Sequence, residues 1–205
     1  MDAYLRAGVA IYNAGRYHAA HDAWEDHWLD LGSGTDDERF LHGLIQFTAA
    51  VFHARNGNWS GTTGLAESAG EYLADLSGAH RGVNVASVRE YLRTLAADPE
   101  VIERRAPLSL TLAGTVVRPA DLDFDATLVA AAVLAEEDGF DESVIDRASE
   151  YARTDLDAEV ASSPFVSLLF DFVREPADRA VIFQRLSEHV DRRRSRETDV
   201  DGLFD

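Results

Sequence analysis

The sequence predicts an all-α protein, a compact multi-helix bundle with one small β-hairpin. Three observations carry this expectation. Apolar residues recur three and four positions apart through most of the 205 residues, which is the period of a helix face. Helix start and stop residues punctuate those stretches. Strict alternation, the period of a strand, is confined to about residues 108–117.

The elements follow in order. Residues 2–14 form an amphipathic first helix with Tyr4, Leu5, Val9, Ile11 and Tyr12, interrupted by Gly15. A second helix runs from about Arg16 to Leu31, and Gly32-Ser33-Gly34 forms the loop after it. Thr35 followed by Glu38 is a capping-box pattern that opens a third helix reaching Arg55, where Asn56-Gly57-Asn58 ends it. A fourth, about 59–76, buries Leu65, Ala69, Tyr72, Leu73 and Leu76. A fifth, about 85–97, stops before Pro99. Leu108, Leu110 and Leu112 then alternate with Ser109 and Thr111, and Ala113-Gly114 turns the chain into Thr115-Val116-Val117. Two strands alone are marginal, so this hairpin needs packing support. Helices resume over about 125–137, after an Asp141 cap, at Ser163-Pro164, and at Glu175-Pro176 for the last. A helical domain over 1–98 and a second region over 99–205, the two sharing a core or not, is the expected organisation.

Composition narrows the function classes. Hydrophobic residues make up 46%, as in a globular protein, and cysteine is absent, which excludes disulfides, thiolate metal sites and cysteine nucleophiles. No apolar run approaches the ~18–20 residues that span a bilayer. The opening Met1–Arg6 lacks the basic start and apolar block of a secretory signal. A soluble, cytoplasmic protein without a membrane partner is expected. Acidic residues number 37 against 19 basic ones, net −18, and every basic residue is arginine. Such repulsion opposes a compact state in dilute buffer. It is screened at molar salt, where the Debye length is ~3 Å. The expectation is a salt-rich, halophilic habitat. The acids are spread along the chain, which argues against a nucleic-acid mimic, and Arg192-Arg193-Arg194 with Arg196 is too small a cluster to draw nucleic acid. That cluster reads as a complement to the helix dipole, paired with Glu188 and Asp191.

Five of the seven histidines fall between residues 18 and 53. His18, His21, Glu25 and Trp28 share one helical face; His42, Gln46, Ala49 and His53 share another on the next helix. The short loop makes these helices antiparallel. Trp28 is then expected opposite His42, Glu25 near Gln46, and His18 and His21 near His53, with Glu67 and Glu71 alongside on the fourth helix. Three readings stand side by side. A hydrogen-bonded polar network could fix helix register. Imidazole and carboxylate donors, with His21, Glu25 and His53 as ligands, suit a divalent transition metal such as zinc, iron, manganese or nickel. Metal-free acid–base chemistry on a small molecule could use His21 and Glu25 as a coupled pair, with Gln46 and Glu67 as ligand-binding groups. Trp24, Trp28 and Trp59 read as core. His27 is expected exposed, and His80 and His189 without companions. In the non-catalytic alternative the His/Glu/Gln network locks helix packing and apolar faces build a homo-oligomer.

The stretch Asn13-Ala-Gly15-Arg-Tyr17-His-Ala-Ala20-His21-Asp22-Ala-Trp24-Glu25-Asp-His-Trp28 resembles the opening motif of an uncharacterised family, domain of unknown function 309. Phe40-Leu41-His42-Gly43-Leu44-Ile45-Gln46, continuing to Ala49, His53, Gly57-Asn58 and Gly61, resembles its second motif. The resemblance covers about residues 9–78 and implies a compact α-helical fold. It also implies that His21, Glu25, Gln46 and His53 stand at the family's polar motif positions. At Asp22 and His42 the sequence departs from the usual glutamate and glutamine, which leaves these two and His18 outside that set. The resemblance carries no activity.

Overall fold

The computed structural model describes residues 1–201. Among the described residues ten α-helices and one hairpin follow in order: α1 (Asp2–Asn13), α2 (Tyr17–Leu29), α3 (Asp36–Arg55), α4 (Trp59–Leu73), α5 (Val85–Ala97), α6 (Val101–Arg104), β1 (Thr111–Leu112), β2 (Thr115–Val116), α7 (Phe124–Asp138), α8 (Glu142–Asp157), α9 (Pro164–Arg174) and α10 (Arg179–Asp201). The all-α expectation holds. Two compact units result, Met1–Leu122 and a second that begins at Asp123. Among the described residues no helix is long and apolar enough to cross a membrane.

In the first unit α3 packs against α2 on one side and α4 on the other, while α1 lies on α2 and α5 on α4. Trp24, Phe40, Phe47 and Leu73 are fully buried among these helices. Close approach is set by glycine. A Cβ at Gly8 on α1 would stand 2.1 Å from the Trp24 indole nitrogen, and one at Gly43 on α3 would stand 2.6 Å from the Leu73 side chain.

Helix ends show how side chains set boundaries. Thr35 Oγ1 accepts from Glu38 N at 3.1 Å, as the cap pattern predicts. The reciprocal bond goes elsewhere, because Glu38 Oε2 accepts from Gly34 N at 3.3 Å and Oε1 from Trp28 Nε1 at 3.1 Å. α4 stops at Leu73, short of the expected Leu76. Arg89 Nη1 on α5 donates to the carbonyls of Leu73, Ala74 and Leu76 at 2.8–3.0 Å, collecting groups that a helix end leaves open.

The hairpin is shorter than its alternating sequence, two residues on each strand, with Leu112 opposite Thr115. Ala113 and Gly114 both have positive φ, 49° and 81°, the geometry of a type I′ turn. Support comes from outside the ladder. Asn13 Nδ2 donates to Leu110 O and Val117 O, and Asn13 Oδ1 accepts from Leu110 N. Asn84 grips the other side through Thr111 N and Ser109 O.

In the second unit α9 packs on α7, α8 and α10 through buried Phe165, Leu169 and Phe172. Gly139, in the left-handed conformation, ends α7; Asp141 and Ser163 cap α8 and α9. The last helix starts at Arg179 rather than at Glu175-Pro176. Arg179 is buried, donates Nε to Phe172 O at 2.9 Å and pairs with Asp138, which fixes the chain before helical turns begin.

Candidate functional site

α2 buries Ala19, Ala20, Ala23 and Trp24 and leaves His18, His21, Asp22 and Glu25 along the edge of that face. Asp22 is the centre. Its Oδ1 stands 2.9 Å from His21 Nδ1 and its Oδ2 3.0 Å from His18 Nδ1. Glu25 Oε2 lies 3.8 Å from His21 Nδ1. The donor atoms of His21, Asp22 and Glu25 all fall within 4.8 Å of one another, all half-buried. The hydrogen bond to Asp22 raises the pKa of His21 above its ordinary value; burial opposes this, and the Glu25 and Asp22 charges reinforce it. Burial works against the charge of Asp22, but the hydrogen bond from His21 and the neighbouring imidazoles hold its carboxyl below the ordinary range.

A second polar seam joins α2, α3 and α4. Trp28 and His42 meet as the hairpin geometry predicts, ring centroids 4.6 Å apart. His42 also lies on Tyr72 of α4, at 3.9 Å between centroids. Gln46 Nε2 donates to His42 Nε2 at 3.0 Å, and its Oε1 is buried without a partner. The Glu38 carboxylate, 3.8 Å from His42 Nδ1, completes the seam.

The remaining histidines are placed individually. His53 accepts from Asn58 Nδ2 at 2.8 Å, and Asn58 caps α4 through Gly61 N. Phe52 stands between His18 and His53, 6.1 Å from each ring. His27 is not exposed as expected. It is half-buried, stacked on Tyr4 at 4.9 Å, and burial lowers its pKa. His80 does have a companion: its Nε2 lies 3.2 Å from Asp37 Oδ1, and Arg81 grips the same carboxylate. The Arg81 hydrogen bond is the main cause that holds Asp37 below the ordinary carboxylate range. Glu67 is exposed and lines a groove between α4 and α5 with Glu71, Arg89 and Arg93. Tyr72, not Glu67, is the α4 side chain that reaches His42.

The structure thus brings His21 and Glu25 together and adds Asp22 and His18. Gln46 is joined to His42, and His53 to Asn58. Glu38 reads from the sequence as a cap only, although it stands four residues before His42 on the same face, the spacing that signals contact.

Residues 5–65 match the model of a family described as Domain of unknown function (DUF309). That span runs from α1 into α4 and contains both polar seams except for Tyr72. No curated protein matches the chain.

Proposed function

We propose that the polar edge of α2 binds a divalent transition metal, with His21 Nδ1 and the Asp22 and Glu25 carboxylates as ligands and His18 within reach of the same centre. The observation that carries this reading is the convergence of those three donor groups within 4.8 Å. One nitrogen and several carboxylate oxygens suit zinc, manganese, iron or nickel. Gln46 and His53 belong, in this reading, to the frame that positions α2 and α3. Its test uses protein purified without a histidine tag, stripped with chelator and titrated calorimetrically with Zn²⁺ or Mn²⁺. One equivalent is expected to bind, and His21→Ala to abolish it. Asp22→Asn should weaken binding about tenfold or more. Metal needs the neutral imidazole, and the pKa of His21 is raised. Affinity should therefore fall as pH drops from 7.5 to 5.5. No heat, no thermal shift with either metal and no effect of His21→Ala would remove the site.

A second reading rests on a different observation, the Trp28–Glu38–His42–Gln46 seam across α2 and α3. Here the polar residues fix helix register and the chain acts as an interaction module. Exposed apolar side chains such as Leu29 and Phe52 then supply self-association, to be read by sedimentation velocity. A large loss of stability in the double variant His42→Ala/Gln46→Ala, without any metal effect, favours this lock.

A further inference from the structure

The second unit holds a groove of about 920 Å³ that the seams of the first unit do not explain. Its walls are Pro164 and Phe165 at the start of α9 and His189, Arg192, Arg193, Arg196 and Glu197 on α10. These α10 positions recur three and four apart, so they form a single stripe. Phe165 is buried behind the groove, with His189 edge-on to it at 6.1 Å and 76° and the Arg193 guanidinium 5.6 Å over its ring. Burial, followed by the charge of Arg192, lowers the His189 pKa and so favours its neutral form, while the Glu188 charge opposes this.

The charges along the stripe are unevenly committed. Arg193 is engaged within the fold. It binds Asp155 Oδ1 at 2.6 Å and Glu197 Oε1 at 3.4 Å, and lies over the Tyr151 ring at 4.3 Å. Glu197 is likewise occupied, its Oε2 accepting from Tyr151 Oη at 2.7 Å. Arg192 donates Nε to the Glu188 carbonyl and holds the Glu188 carboxylate only at 3.8 Å. Among the described residues Arg196 pairs with no carboxylate. Arg153 and Arg185 are likewise exposed and without a carboxylate among the described residues, but Arg196 differs from them in standing at the wall of this groove beside Arg192.

We infer that this groove binds a small organic anion, a carboxylate or phosphate group on an aromatic or aliphatic body. Arg192 and Arg196 hold the anion through charge-assisted hydrogen bonds, and the body lies against Pro164, His189 and the aliphatic stems of the arginines. The size suits a ligand of ordinary cofactor or metabolite dimensions. A polyanion is disfavoured, because the surrounding acidic surface repels an extended negative chain.

The test is an NMR titration of the full chain at fixed ionic strength, with circular dichroism confirming the fold of each variant. The probes are phenyl phosphate, 3-phenylpropionate, inorganic phosphate and benzylamine. Saturable shifts at His189 are expected with one or both aromatic anions, and the tighter of the two identifies the preferred headgroup. Inorganic phosphate should bind about tenfold more weakly for want of an apolar body, and benzylamine should not bind. Arg192→Gln and Arg196→Gln, both exposed positions, should each weaken the aromatic anion about fivefold to tenfold while leaving the melting temperature in place. Equal shifts with benzylamine, equal affinity for inorganic and phenyl phosphate, or unchanged binding in the double variant would overturn the assignment.

Discussion

Asp22 holds two imidazoles at once, His18 on one oxygen and His21 on the other. The consequence for pH has a definite sign. His21 has a raised pKa, so its contribution to stability is full below the ordinary histidine value and fades as pH rises through the raised one. Asp22 has a lowered pKa, so its contribution is full above the ordinary carboxylate value and fades as pH falls through the lowered one. Both are present together between about pH 4.5 and 6. We expect the His21 ring resonances to titrate above the ordinary histidine value, and Asp22→Asn to bring that midpoint down. A midpoint indifferent to Asp22→Asn would show that the pairing is absent in solution. His18, mostly exposed at 63%, adds little to stability. The pairing of His21 with Glu25 was legible because residues four apart share a face. The pairing of Asp22 with His18 obeys the same spacing, but its bond to His21 was not legible, since adjacent residues on a helix diverge. Only the short reach of the aspartate lets its carboxylate bend back to His21.

At the scale of elements, the hairpin depends on a side chain nearly a hundred residues away. Asn13 satisfies three backbone groups around it, at Leu110 twice and Val117 once. Asn13→Ala leaves those groups unpaired in a part-buried place and is expected to cost about 2–4 kcal/mol. Chemical denaturation of the variant measures that loss, with the change concentrated in amide protection of 108–117. A cost below about 0.5 kcal/mol would mean that water replaces the amide. Alternation and the Ala113-Gly114 turn made the hairpin readable from sequence. Its brevity was not readable, because Tyr12 takes the Leu108 carbonyl and Asn13 takes the groups of Leu110, leaving them nothing for a ladder. The start of α10 escaped for a similar reason. Glu175-Pro176 is a sound local opening signal, overruled by the buried Arg179–Asp138 pair.

For the whole molecule, charge is the strongest influence that composition alone exposes. Added salt screens the repulsion among 37 acids but also weakens exposed pairs such as Arg147–Glu150. The second effect is small, since such pairs contribute little. Partly buried pairs such as Arg193–Asp155 are screened least. Repulsion relief therefore wins, and the melting temperature should rise by roughly 5 °C or more between 0.1 M and 2 M KCl. That corresponds to about 1–3 kcal/mol for a chain of this size. Equal melting in the two solutions would count against a fold adapted to salt.

The contact between Gly8 and Trp24 constrains the order in which this sequence can change. With the indole in place, any side chain at Gly8 must displace it, because the nearest ring atom is 2.1 Å from where a Cβ would sit. Once Trp24 is replaced by leucine, the space opens and Gly8→Ala fills part of the resulting void. The two substitutions are coupled rather than additive. One route between the paired states passes through a clash and the other through a cavity, so drift at these positions is directional: the tryptophan must go first.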